Sequence, residues 1–266
     1  MRLTKILGKS FELWIANPII ILPFLLQIAL YLLLVIPFTL FALYPRWNNL
    51  ATSNLETIAN EVVVKVIESQ TALLWFVIMA IAVILISCFL LAGSVGIANK
   101  ICNGRKASFG DIIKYGKKFW LSYLAASFIV GGIILFALFI GGALVLVISM
   151  FGISGIMIDI LVAVLAIFLL LFSIALIPAT NLVIIEDISP IEAIKLNFKF
   201  SRKNYLSILG LICLLVLVNA LTNLVPYAGE IIGFLIVNPI QTIAIVLLIV
   251  DRMPALKHGL KQKKKK

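Results

Sequence analysis

An all-α integral membrane protein is the fold class this sequence predicts, on three observations. Of its 266 residues, 63% are hydrophobic and only 12% charged, where an average soluble domain has about 25% charged residues. The apolar residues form continuous stretches long enough to cross a bilayer as helices, unlike the ~10-residue alternating segments of an outer-membrane barrel. Nearly all lysines and arginines fall in every second gap between those stretches, as in helices threaded back and forth through a membrane.

At about 20 residues per crossing, six spans are expected, roughly Pro18 to Tyr44, Leu73 to Ala98, Leu121 to Met150, Ile156 to Ile185, Leu206 to Val225 and Ile231 to Val250. The third and fourth are divided at Phe151-Gly152-Ile153-Ser154-Gly155, whose glycines and serine favour a tight turn. The N-terminal segment, the loops after spans two and four, and the tail carry every basic residue except Arg46 and Lys65. Hydrated cations near a span stay on the cytoplasmic side during insertion, so both termini are assigned there. Trp14 and Trp120 at inner boundaries, with Trp47 and Trp75 near outer ones, agree with that assignment. The expected location is the cell membrane. The first apolar run exceeds the 7–15 residue core of a secretory signal and is read as retained.

A short basic amphipathic segment precedes each odd-numbered span. Leu3, Leu7, Phe11 and Trp14 oppose Lys5, Lys9 and Glu12; Ile112, Tyr115 and Phe119 oppose Lys114, Lys117 and Lys118; Ile191, Ile194 and Phe198 oppose Lys195, Lys199 and Arg202. Such helices are expected in the interface, apolar side in the acyl boundary and cations on anionic headgroups. Lys114, Lys117, Lys118, Lys195, Lys199 and Arg202 are the candidate lipid contacts. Ser108-Phe109-Gly110-Asp111 and Ser189-Pro190-Ile191-Glu192 each place a serine N-cap before an acidic residue at the third helical position. From these caps the two segments align without gaps through Phe119 and Phe200, and Phe11 to Asn17 repeats the spacing of Phe198 to Asn204.

The expected architecture is therefore six transmembrane helices as three hairpins, each introduced by a cytoplasmic interfacial amphipathic helix. The approximate repeats cover 1–98, 99–187 and 188–252 within one domain, 1–252, and a basic cytoplasmic tail follows at 253–266. In the outer loop from Pro45 to Ala72, the capping pattern Ser53-Asn54-Leu55-Glu56 predicts one short extracytoplasmic amphipathic helix.

Little chemistry is visible. Cys88, Cys102 and Cys213 have no C-x-x-C spacing, and the lone histidine, His258, lies in the basic tail, where it reads as a solvated residue. No histidine-based metal site or Ser-His-Asp triad can be built within the spans, and no phosphate-binding G-x-x-x-x-G-K-[ST] loop occurs. No cofactor and no enzymatic activity are expected. Asp159 and Glu230 sit near outer span ends, within reach of interfacial water.

The neutral polar residues Asn181, Asn219, Asn223, Asn238 and Gln241, accompanied by Thr180, Thr222, Thr242, Pro178 and Pro239, are the candidate site. Their first expected use is helix-to-helix contact; a pocket for a polar solute or lipid headgroup is the alternative. Gly131-Gly132 and Gly141-Gly142 read first as close-packing surfaces.

The run Glu186-Asp187-Ile188-Ser189-Pro190-Ile191-Glu192-Ala193-Ile194-Lys195, together with Gly104-Arg105-Lys106-Ala107-Ser108-Phe109-Gly110-Asp111, resembles two cytoplasmic motifs of six-span prokaryotic membrane proteins. That group includes many archaeal domains of unknown function and the membrane domain associated with some glycerophosphoryl diester phosphodiesterases. The resemblance implies architecture and a plasma-membrane location. It implies no hydrolase activity, which resides in a separate soluble domain.

The expected function is that of a non-enzymatic scaffold or a lipid- or envelope-associated component, its basic surface holding anionic lipid. A transporter or permease for a neutral or amphiphilic solute is the alternative. Expected partners are the bilayer and its anionic headgroups, with other membrane proteins or a second copy of the chain. Nucleic acid is not among them, because the net charge of +11 follows membrane topology.

Overall fold

Long runs of Leu, Ile, Val, Phe and Ala have no water to satisfy their backbone polar groups in a bilayer, and an α-helix satisfies them within the segment. A computed structural model describes residues 3–43, 70–150, 155–224 and 229–263, and among these every regular element is helical. The order is α1 (Leu3–Ala16), a 3₁₀ turn (Pro18–Ile21), α2 (Leu22–Leu43), α3 (Gln70–Cys102), α4 (Phe109–Met150), α5 (Gly155–Leu176), α6 (Pro178–Ile185), α7 (Pro190–Thr222), α8 (Gly229–Ile232), a π-helical turn (Gly233–Val237) and α9 (Asn238–Lys263). Five helical stretches are long and apolar enough to cross a membrane, and a sixth is reached if α1 and α2 count as one bent span. The expected outer-loop helix, Trp47 and the residues of the turn at 151–154 lie outside the described residues. Helix α9 runs on through Lys263, so the tail begins as a continuation of the last span; the side chain of His258 is outside the described set.

The core is built around α9. Every residue from Ile243 to Ile249 is buried, the pattern of a helix surrounded on all sides. Helices α1, α3, α6 and α7 pack on it, while α3 lies along α4. The close approach of α3 and α4 depends on glycine. A Cβ on Gly96 would lie 2.2 Å from the Tyr115 ring, one on Gly93 2.8 Å from Ile112, and one on Gly116 2.7 Å from Phe89. The glycines picked out in the sequence behave otherwise. Gly131, Gly132 and Gly142 have nothing within 4 Å of an added Cβ, and Gly141 only Leu165 at 3.9 Å. Between α3 and α4, close packing belongs to Gly93, Gly96 and Gly116; elsewhere among the described residues Gly210, Gly229 and Gly233 are also closely approached, by Leu3, Thr222 and Asn219.

The basic segments are helical, with local features that recur. Helix α3 ends with Gly104 at φ 73° and an Arg105 N–H bond to the Lys100 carbonyl at 3.0 Å. Helix α6 ends with Asp187 at φ 52° and an Ile188 N–H bond to the Val183 carbonyl at 3.3 Å. Both are left-handed helix stops. Ser189 then forms a full capping box with Glu192, and the Asp111 carboxylate accepts the Ser108 N–H at 2.7 Å.

Asn17 and Asn204 also behave alike. Asn17 precedes Pro18, which excludes it from the helical region, and α1 meets the next helix at 96°. Asn204, at φ −120° and ψ 16°, kinks α7. Each side-chain amide donates to the carbonyl four residues earlier, at 3.1 Å to Leu13 and 3.0 Å to Phe200. The second segment has no matching asparagine, and α4 continues unbroken for 42 residues, about 63 Å against a ~30 Å hydrocarbon core.

The apolar faces of these segments differ from expectation in one respect: much of each packs on protein. Leu3, Leu7 and Trp14 lie against the core, Ile6 and Ser10 are fully buried, and Ile112 and Phe119 are buried against the bundle. On α7 the buried face is Ala193, Ile194, Asn197, Phe200 and Ser201, leaving Ile191 and Phe198 exposed. The reason is hydrogen bonding at the α5–α6 break. Pro178 interrupts the helix, and Asn197 and Ser201 donate to the Ala175 carbonyl at 2.9 and 2.6 Å, while the Tyr205 hydroxyl donates to Leu171 at 3.2 Å.

Candidate functional site: a polar cavity within the bundle

Two interruptions of regular helix face each other inside the bundle. One is the break at Pro178, after which α6 carries Thr180 and Asn181. The other is the π-helical turn Gly233–Val237, closed by the Asn238 N–H on the Gly233 carbonyl. Pro239 has no N–H to continue the ladder, so the α-helical register resumes only in α9. Single π-turns widen a helix locally and recur at functional sites. Here the widening brings Phe234, Asn238, Gln241 and Thr242 to one side.

Between them lies a cavity of about 320 Å³, lined by Phe24, Gln27, Leu91, Ser94, Val95, Tyr123, Ile177, Thr180, Asn181, Phe234, Asn238, Gln241, Thr242 and Ile245. Its depth follows from helix rise. Ser94 lies six residues from Lys100 and Gln241 ten from Asp251, about 9 and 15 Å from the basic end. The cavity therefore falls within the apolar part of the spans.

Its polar groups divide into two sets. Gln27 donates to the Tyr31 hydroxyl at 2.8 Å and to the Ser87 hydroxyl at 3.3 Å. Ser94 donates to Leu91 at 2.8 Å and Thr242 to the Asn238 carbonyl at 2.9 Å, while the Tyr123 hydroxyl faces that of Thr180. These groups are partnered by protein. The side-chain amides of Asn181, Asn238 and Gln241 have no protein hydrogen-bond partner among the described residues. Asn181 is only 7% exposed, and it lines the cavity, so its amide opens on that space. Asn238 and Gln241, three residues apart, share a face of α9. No Asp, Glu, Lys, Arg or His lines the cavity, so it favours an uncharged, hydrogen-bonding guest.

Three of the five residues singled out from sequence thus line one cavity. Asn219 and Asn223 do not; both are exposed near the end of α7, with the Asn219 side-chain oxygen against Gly233. Gln27, Ser94 and Tyr123 belong to the lining and were missed. A glutamine inside the otherwise apolar α2 was the available signal for the first; Ser94 and Tyr123 are too ordinary in a membrane helix to stand out. Asp159 and Glu230 are exposed and away from the cavity. Among the described residues no cluster of His, Cys, Asp and Glu is arranged to hold a metal. All six candidate lipid-contact cations are exposed, and Lys118 pairs with Asp187 at 2.5 Å.

The fold and cavity define the class: a helical protein with five to six helices long and apolar enough to span a membrane and a polar chamber, free of Asp, Glu, Lys, Arg and His, between them. The chain belongs to the domain family of unknown function DUF7847, whose family model matches residues 1–251. That match does not extend to the phosphodiesterase-associated membrane domain that the two basic motifs resemble. Neither a curated protein nor a solved structure matches the chain.

Proposed function

We propose that this protein binds a small uncharged molecule, or the uncharged headgroup of a larger one, in the chamber between α2, α3, α6 and α9, and that it acts as a permease or carrier. The observation that carries this reading is the convergence of the Asn181, Asn238 and Gln241 amides, without protein partners among the described residues, on a cavity lined by no Asp, Glu, Lys, Arg or His. Helix contacts would use such amides up, as Asn197 is used on the Ala175 carbonyl. In this reading the basic end is cytoplasmic, three hairpins make up the bundle, and no covalent chemistry takes place. The test uses proteoliposomes and a panel of neutral solutes (glycerol, urea and a hexose) followed by osmotic light scattering. Replacing Asn181, Asn238 and Gln241 by leucine should abolish the permeation seen with the wild type; equal rates would remove the chamber from consideration.

The exposed cations favour a second role. Lys114, Lys117, Lys195, Lys199 and Arg202 project beside exposed Phe109, Ile113, Ile191 and Phe198. That pairing of charge and apolar surface suits a leaflet rich in anionic lipid, where each cation contributes about 1 kcal/mol. A scaffold or envelope component would use this surface. Native mass spectrometry from mixed nanodiscs should then find anionic lipid retained over phosphatidylcholine, and no preference would count against the role.

A further inference from the structure

We infer that the guest of the chamber is an amphiphile, its uncharged headgroup among the chamber amides and its acyl chain in a groove between the outer halves of α4 and α5. The inference rests on the chamber reading and extends it to the class of ligand.

The groove has a volume of about 710 Å³ and is almost wholly apolar, with Leu138, Gly142 and Leu146 on α4 facing Val162, Leu169 and Ser173 on α5. Its one hydroxyl, on Ser173, is consumed by the Leu169 carbonyl at 2.7 Å. Groove and chamber share the same helix faces. Steps of three and four residues lead from Val162 through Ala166, Leu169 and Ser173 in the groove to Ile177 at the edge of the chamber, and Asn181 lies one turn further on, across the α5–α6 break. On α4 the same spacing leads from Tyr123, which lines the chamber, through Ser127 and Gly131 to Ile134 and Leu138 in the groove. Ser173 and Ile177 are one turn apart, about 6 Å. The groove length on α5, eleven residues from Val162 to Ser173 or about 16 Å, is close to half the ~30 Å hydrocarbon thickness. That is the length of one leaflet.

The occupant follows from this continuity. A water-soluble solute leaving the chamber along this face would meet apolar side chains and the hydroxyls of Ser127 and Ser173, already donated to the Tyr123 and Leu169 carbonyls at 2.9 and 2.7 Å. An amphiphile needs no polar path there, because its chain stays in a hydrocarbon-like setting and only the headgroup exchanges partners. The missing side chains at Gly131 and Gly142, neither with an atom within 4 Å of an added Cβ, leave room for that chain.

The test places the full chain in phosphatidylcholine nanodiscs with a trace of monoacylglycerol bearing a diazirine near its chain end, and maps the photoproducts by mass spectrometry. Labelling should concentrate on the α4 and α5 groove segments. The double variant Asn181→Leu, Gln241→Leu should lower that labelling by about ten- to thirtyfold, as expected for two lost hydrogen bonds each worth roughly fivefold in affinity. Labelling of other lipid-facing helices should not change. Gly142→Phe should lower groove labelling without moving the backbone. Groove labelling indifferent to the chamber amides would identify ordinary bilayer lipid and overturn the inference, while solute permeation sensitive to the same amides would leave the chamber reading standing. A dimer lost in Gly142→Phe, with lipid labelling unchanged, would assign the groove to a second copy and equally overturn it.

Discussion

Helix α4 is packed in opposite ways along its length. Over its first turns it interlocks with α3, where Gly93, Gly96 and Gly116 admit Ile112, Tyr115 and Phe89 to distances no Cβ would allow. Over its second half, Gly131, Gly132 and Gly142 meet nothing, and Leu135, Phe136, Phe139 and Leu146 are exposed. The difference teaches that a glycine in a membrane helix has no fixed meaning. In the first region it permits a contact between helices, and in the second it leaves a recess. The asparagines show the same division: Asn197 is spent on the Ala175 carbonyl, whereas Asn181 opens on the chamber.

The largest expected effect is in the interlocked region. Gly96→Ala puts a methyl group into the Tyr115 ring and its Cβ, neither of them a flexible chain end, and should cost about 3 kcal/mol. Thermal unfolding in detergent measures it, and a variant as stable as wild type would mean that α3 and α4 do not meet at this register. Asn197→Leu comes next, at about 2 kcal/mol, because it removes a fully buried amide that donates to the half-buried Ala175 carbonyl and leaves that carbonyl with one donor fewer. Asn181→Leu should change stability in the other direction, by about 1 kcal/mol, since it removes a buried amide that no protein group pairs. Loss of stability in that variant would instead place Asn181 among the structural asparagines. The smallest effect is expected at Gly132→Ala, a gain of about 0.5–1 kcal/mol from helix propensity with no steric penalty. Marked destabilisation there would show that the outer half of α4 is covered by a partner.

Much of the architecture was legible in the residue order. The apolar runs marked the spans, and Ser189 with Glu192 announced a helix start that forms as expected. The matching spacing of Phe11 to Asn17 and Phe198 to Asn204 foreshadowed two helix interruptions with one hydrogen-bond pattern. Asn181, Asn238 and Gln241 stood out because polar groups are rare in such runs. The packing face of each helix was not legible. In a soluble protein, polarity separates the outer face from the inner one, but lipid tails and protein cores are equally apolar. Hence Gly131-Gly132 looked like a contact surface, while Gly93 and Gly96, flanking Ser94 and Val95 in a small-residue run, were passed over.

The sequence by itself determined that this chain forms helices long and apolar enough to cross a membrane and where the described ones run, because hydropathy, charge and capping act over a few neighbouring residues. Tertiary structure alone decided which amides remain without protein partners. Asn197 and Asn181 are the same side chain in similar local settings; whether a carbonyl or a cavity lies opposite depends on helices distant in the chain, on the break at Pro178 and on the π-turn before Asn238.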